Sequence, residues 1–295
     1  MKNVTDLLIS KIEALNNPTV AGLDPRVEYL PEKLKKLATD KISAAKAIEE
    51  FNCRIIDSIK DVVPAVKIQS AFYEIYASAG VDAMNDTAAY AKAAGLIVMA
   101  DVKRNDIGST AEAYAKAYLD DGLYDYITVN PYLGYDGIKP FTDKCKSNNK
   151  GIFTLARTSN PSAAVIQNMR LENGEPLYVH IGKLIEQWGA DSIGEYGYSA
   201  VGAVVGATNP AEAAELRKTL ASTFFLVPGY GAQGGKGKDA AAAFDKNGRG
   251  AIVNNSRGII AAYLTDRYAG MNYYDAAREA ATAMRDDLQK ALSNK

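Results

Sequence analysis

The sequence predicts an α/β fold: a (β/α)8 TIM barrel, a single domain over residues 1–295, with an elaborated loop after the fifth strand. Three observations predict it. Eight short apolar runs recur, each about the length of a buried strand. Stretches rich in Ala, Leu, Lys and Glu with helical spacing lie between most of them, which implies parallel βα units with right-handed crossovers. Nearly every run ends in polar or charged residues, as the functional rim of a barrel would. Strand count alone leaves an open, doubly wound sheet as the second architecture.

The elements follow in order. Leu8, Ile12 and Leu15 share one face of a short N-terminal amphipathic helix. Asp6, Lys11 and Glu13 interrupt its apolar stretch, so it does not read as a signal peptide. The predicted strands are Thr19–Leu23, Ala65–Ile68, Leu96–Ala100, Tyr126–Val129, Gly151–Ala156, Ala200–Gly206, Thr223–Val227 and Ala251–Val253. Helical spacing appears over Ile42–Ile59, Asp86–Ala94, Ala111–Leu119, Ala211–Leu220 and Lys238–Phe244. Ser109-Thr110-Ala111-Glu112 fits a capping box with Ser109 as the cap. The stretch from Asn160 to Ser199 exceeds what a βα connection needs; Pro161, Gly174 and Pro176 break it, and a helix is expected near Tyr178–Trp188. It reads as an insertion that could cover the rim.

Composition narrows the function. The 34 Lys+Arg against 35 Asp+Glu give a net charge of −1, which argues against a general binder of nucleic acid or anionic membrane. Cys53 and Cys145 are far apart and form no CxxC pair, which disfavours a disulfide scaffold or thiolate zinc site. The lone histidine, His180, excludes His-rich metal sites and leaves acid–base work to Lys, Asp, Glu or Tyr. No apolar run reaches the roughly 18 residues of a membrane span. A reducing, cytoplasmic setting is the expectation.

The strand ends carry the chemistry. The first strand closes on Asp24, the second on Lys67, and the third on Asp101, with Lys103 and Asp106 following. The fourth closes on Asn130, and the fifth runs into Arg157, Thr158 and Ser159. The seventh runs into Pro228, Gly229 and Gln233, and the eighth closes on Asn254, Ser256 and Arg257. In an extended segment, positions i and i+2 share a side, so Asp101 and Lys103 can point into one pocket. A lysine between carboxylates keeps its proton. It is then a poor Schiff-base nucleophile and a good proton donor. GYGAQGG offers glycine backbone for an anion nest, and Arg257 a fork that fits phosphate. Barrel phosphate sites commonly follow the seventh and eighth strands.

These residues resemble a known family. DVKRNDIGST is similar to the Asp-x-Lys-x-x-Asp-Ile signature of the orotidine 5′-phosphate decarboxylases. GLDPR, VKIQSAFYE, TVNPYLG, TSNPSA, VPGYGAQGG and NNSRGI extend the resemblance, in order, along nearly the whole chain. It is nearest to the longer bacterial subgroup. The resemblance implies a (β/α)8 barrel, commonly a homodimer with shared active sites. It implies conversion of orotidine 5′-monophosphate to UMP and CO2 without metal or organic cofactor, and no second domain able to make that substrate. It makes Lys67, Asp101, Lys103 and Asp106 an alternating charged array, with Asp106 reaching across to the partner. It assigns Asp24 to the ribose hydroxyls, Thr110 to the ribose side of the neighbouring site, and Ser159 to the pyrimidine edge. Gln233 and Arg257 would hold the phosphate, with Pro228 and Asn130 as further substrate-binding residues.

Two rivals stand beside this reading. Related sugar-phosphate barrels share the Asp-x-Lys-x-x-Asp motif but use Mg2+, held by a carboxylate ending the second strand. Here that strand ends in Lys67, which would repel a hard cation. A non-catalytic barrel that only senses a phosphorylated ligand is the other rival. It would not need alternating buried charges, which are costly.

Overall fold

The structure is a computed structural model and describes residues 2–120, 122–231 and 234–295. Eight parallel strands close into a barrel in sequence order. They are β1 (Thr19–Leu23), β2 (Ala65–Gln69), β3 (Ile97–Arg104), β4 (Tyr126–Val129), β5 (Gly151–Arg157), β6 (Val201–Val205), β7 (Phe225–Val227) and β8 (Ala251–Asn255). Closure rests on β1 pairing with β8, with Thr19 opposite Val253 and Ala21 opposite Asn255. That pairing removes the open-sheet alternative. The strands are buried on both faces, which is why they read as continuous apolar runs rather than alternating ones.

The differences from expectation fall at the ends. β2, β3, β5 and β8 run further toward the rim than their apolar runs, because barrel hydrogen bonding continues after the side chains turn polar. β6 and β7 are shorter than expected, at five and three residues. The helix expected over Asp86–Ala94 starts at Ala77. Its first turns are small residues that pack through Gly80 and Ala83, so they show little apolar periodicity. The capping box at Ser109 does not form. The helix Gly108–Leu119 begins two residues earlier than that cap implies, Ile107 stands at its cap, and no side chain caps it.

The long connection after β5 divides into two parts. Leu177–Gly189 is the barrel's own fifth helix, packed on β5 and β6. Only the preceding stretch, with the short helix Ala163–Gln167, is additional. Asp6 of the N-terminal helix Val4–Leu15 ties down the far end, its carboxylate accepting from the N–H groups of Glu195 and Tyr196 at 2.9 Å each. The C-terminal helix Tyr273–Ser293 packs against Lys41–Ile59. Lys41–Ile59 buries Ile48, Phe51, Ile55 and Ile59 at helical spacing and is capped by Asp40, which accepts from Ser43 N–H at 2.8 Å. Among the described residues, no helix is long and apolar enough to cross a membrane.

Candidate active site

A cavity of about 750 Å³ opens where the strands end. Asp24, Lys67, Asp101, Lys103, Ser159, Pro228 and Arg257, all expected from the strand ends, line it. Gln233, expected at the phosphate, lies outside the described residues.

The centre of the cavity is a chain of alternating charge. Lys67 Nζ lies 2.8 Å from Asp101 Oδ2 and 3.7 Å from Asp24 Oδ1. Lys103 Nζ lies 2.6 Å from Asp101 Oδ1. The order is therefore Asp24, Lys67, Asp101, Lys103. Lys67 is nearly inaccessible at 5% side-chain exposure, whereas Lys103 is 48% exposed and reaches the open cavity.

Asp101 accepts two more hydrogen bonds, from Gln69 Nε2 at 3.0 Å and Thr128 Oγ1 at 2.9 Å. Four donors occupy a carboxylate's acceptor capacity. Burial pushes its pKa up, but the charges of Lys67 and Lys103 and their hydrogen bonds outweigh burial and hold Asp101 well below the usual carboxylate range. Burial likewise disfavours the Lys67 ammonium, but Asp101 and Asp24 overcome it and raise its pKa. Both groups are therefore charged across the physiological range.

Lys103 enters the cavity by an unexpected route. Simple alternation in an extended strand does not place it. Met99 and Ala100 pair with Tyr126 and Ile127, yet Arg104 pairs with Val129, so β3 carries a bulge. Within that bulge Lys103 has φ of +44°, a left-handed backbone that lysine rarely adopts. Its N–H donates to Thr128 Oγ1 at 2.9 Å. Thr128 thus holds both the backbone of Lys103 and the carboxylate that Lys103 pairs with.

The remaining wall comes from β5, β7 and β8. Gln167 in the insertion fixes the β5 loop, accepting from Thr158 N–H at 2.9 Å and donating to Thr158 Oγ1 at 2.8 Å. Ser159 fits beside Gly206; a Cβ there would stand 2.9 Å from Ser159 Cβ. Asn254 Oδ1 is buried with no hydrogen-bond partner among the described residues, and its residue lines the cavity. Arg26, held over the rings of Phe72 and Tyr29 at 5.0 and 5.6 Å, lines the mouth.

Four residues singled out in the sequence are not in the cavity wall formed by the described residues. Asn130 is spent on a turn: Oδ1 accepts from Tyr132 N–H at 3.1 Å, the local bond that asparagine favours after a strand. Asp106 accepts from Ile107 N–H at 2.8 Å and Thr110 is exposed on the following helix. Neither reaches the chain's own cavity. Arg157 is likewise outside it, buried and paired with Glu212 at 2.6 Å.

Gln69 and Thr128 are the residues that the strand-end reading missed. Both carried a signal. Gln69 is two residues beyond Lys67 on the same strand face, and Thr128 lies inside β4, two residues before the polar residue that closes it.

The family described as orotidine 5′-phosphate decarboxylase / HUMPS matches residues 21–270 of the chain. The chain belongs to this family. A protein named orotidine 5′-phosphate decarboxylase from Rhodopirellula baltica is 42% identical over 284 residues, covering 92% of this chain and 94% of its own. One of the same name from Clostridium tetani is 42% identical over 291 residues, covering 98% and 99%. Among solved structures, Leishmania donovani UMP synthase is similar with a TM-score of 0.81 at 30% identity, covering all of this chain and 57% of its own. The Leishmania donovani OMP decarboxylase has a TM-score of 0.79 at 28% identity, covering 99% of this chain and 100% of its own.

Proposed function

We propose that the cavity decarboxylates orotidine 5′-monophosphate to UMP and CO2, a step of de novo pyrimidine synthesis, with Lys103 as the proton donor. The observation that carries this is the Asp24–Lys67–Asp101–Lys103 chain, which ends in an exposed ammonium at the cavity floor. The C6–carboxylate bond breaks, CO2 leaves, and the electron pair remains on C6. The adjacent Lys103 ammonium stabilises that charge and then transfers a proton to C6, leaving an amine that regains its proton from water. Asp101, held ionised by its four donors, faces the substrate carboxylate. The repulsion is relieved as CO2 departs, which favours the transition state over the bound substrate. The phosphate, remote from C6, would sit at Arg257 and the glycine-rich segment after β7, where its binding energy desolvates the pocket.

No metal is needed in this scheme. Lys67 Nζ stands between Asp24 and Asp101, where its charge would repel a hard cation from both carboxylates. The active unit is a homodimer. Ile107, Tyr132 and Leu133 expose apolar surface, at 54%, 86% and 45%, beside Asp106 and Thr110, and covering that surface with a second copy would carry both polar residues into the neighbouring site. Cys53 and Cys145 are free thiols, consistent with a reducing cytoplasm.

The test is ultraviolet absorbance of orotidine 5′-monophosphate mixed with the protein, with and without EDTA. Conversion to UMP that survives EDTA supports the scheme. Conversion lost in EDTA restores the metal-dependent alternative, and UMP binding without turnover points to a sensor.

A further inference from the structure

The segment between β7 and the short helix Gly237–Ala240 is tied at both ends to one carboxylate. Asp287, on the C-terminal helix, accepts through Oδ2 from the Tyr230 hydroxyl at 2.8 Å and from the Gly237 N–H at 2.8 Å. Tyr230 lines the cavity. Gly237 has no alternative residue at this contact, because a Cβ there would stand 2.6 Å from Asp287 Oδ2 and 2.8 Å from the Asp287 carbonyl oxygen. Between the two anchors the backbone folds on itself: Gly231 N–H donates to the Gly235 carbonyl at 2.8 Å, and Gly235 N–H to that of Gly229 at 3.2 Å. Gly229, Gly231 and Gly234 hold left-handed backbone. Glycine-rich backbone is entropically costly to order. Two hydrogen bonds to a carboxylate, each stronger than a neutral pair, offset that cost from a helix outside the barrel wall.

We propose that Asp287 is a positioning residue for the phosphate end of the substrate. It fixes Tyr230 and Gly237, and so holds Gly229 and Tyr230 in the cavity wall that Arg257 also lines. This rests on reading the ends of β7 and β8 as the phosphate site. Asp287 acts on the phosphate end and not on the charged chain around Lys103.

The experiment compares kcat/KM for orotidine 5′-monophosphate with kcat/KM for orotidine, which lacks the phosphate. Asp287→Ala and Gly237→Ala each lower the value for the phosphorylated substrate by at least about tenfold, mostly through KM. Both leave the value for orotidine unchanged. Tyr230→Phe, which removes one of the two bonds, falls between. Equal losses on both substrates, or no loss on either, overturn the proposal. If Asp287→Ala does not fold, Gly237→Ala and Tyr230→Phe carry the same test. Arg257→Ala separates the two levels of the argument. If it collapses the preference for phosphate while the Asp287 and Gly237 variants do not, Asp287 has no positioning role. If Arg257→Ala also spares the preference, the phosphate site itself is misplaced and the proposal falls with it.

Discussion

Asp101 is the residue on which the charged chain turns. Its two oxygens take four donors, two of them ammonium groups, so removing its charge strands buried Lys67 with Asp24 alone at 3.7 Å. Asp101→Asn is expected to destabilise the fold by about 3–5 kcal/mol at neutral pH, the usual cost of breaking a buried pair. The pH dependence has a definite sign. The folded-state pKa of Asp101 lies below its ordinary value of 3.8, so its contribution is complete above that value. It is lost as pH falls further, where the unfolded chain binds the proton first. Denaturant titrations should therefore show wild type and Asp101→Asn converging below about pH 4. Lys67 works at the other end: its pKa is raised above 10.5, and its contribution is lost only as pH climbs past that value. Lys103 differs from both. Its left-handed backbone costs about 1–2 kcal/mol in any residue but glycine. Lys103→Ala should abolish turnover while UMP binding remains measurable by calorimetry. Lys103→Gly should be equally inactive yet melt at a higher temperature than Lys103→Ala. A residual rate in either near that of the wild type would remove Lys103 from the chemistry.

At the scale of elements, the bulge in β3 and the close packing of β5 on β6 set the cavity's shape. The bulge adds residues to β3 between Ala100 and Arg104 without lengthening β4, and this turns Lys103 inward beside Asp101. On the opposite wall, Gly206 follows β6 and leaves room for Ser159, whose backbone and Cβ would lie 2.9–3.0 Å from any added Cβ. The segment cannot yield without moving Ser159. Gly206→Ala is thus expected to raise KM for orotidine 5′-monophosphate by about tenfold, roughly the worth of one displaced hydrogen-bonding contact. The melting temperature should change much less than KM. An unchanged KM would show that Ser159 does not touch the pyrimidine. The site's elements were partly legible. The strand ends exposed Lys67, Asp101 and Lys103, because barrel chemistry sits where apolar runs stop. The bulge was not legible, since VMADVKR reads equally well as a continuous strand.

The whole molecule leaves Asp106 and Thr110 outside the cavity of their own chain, on a rim that also exposes Ile107, Tyr132 and Leu133. A shared-site dimer makes a specific prediction. Lys103→Ala and Asp106→Ala should each be inactive alone, because each spoils both sites of its own homodimer. Mixed and allowed to exchange, they should regain roughly a quarter of wild-type activity, since half of the dimers are hybrids with one intact site. No recovery, in a mixture that demonstrably exchanges subunits, would confine Asp106 to a structural role within its own chain.

What the sequence determined by itself was whatever depends on neighbours along the chain. The alternation of apolar runs with helical stretches gave the barrel, and the polar residue ending each run gave Asp24, Lys67, Asp101 and Arg257. Tertiary structure decided what depends on contacts between distant segments. It closed β1 on β8, aimed Gln69 and Thr128 at Asp101, turned Asn130 away into a local bond, and brought Asp287 from the last helix to the loop after β7. Strand periodicity is fixed by backbone sterics within a few residues, so sequence carries it. Which side chains meet across a closed barrel is fixed by register, bulges and packing, and those emerge only when the whole ring is assembled.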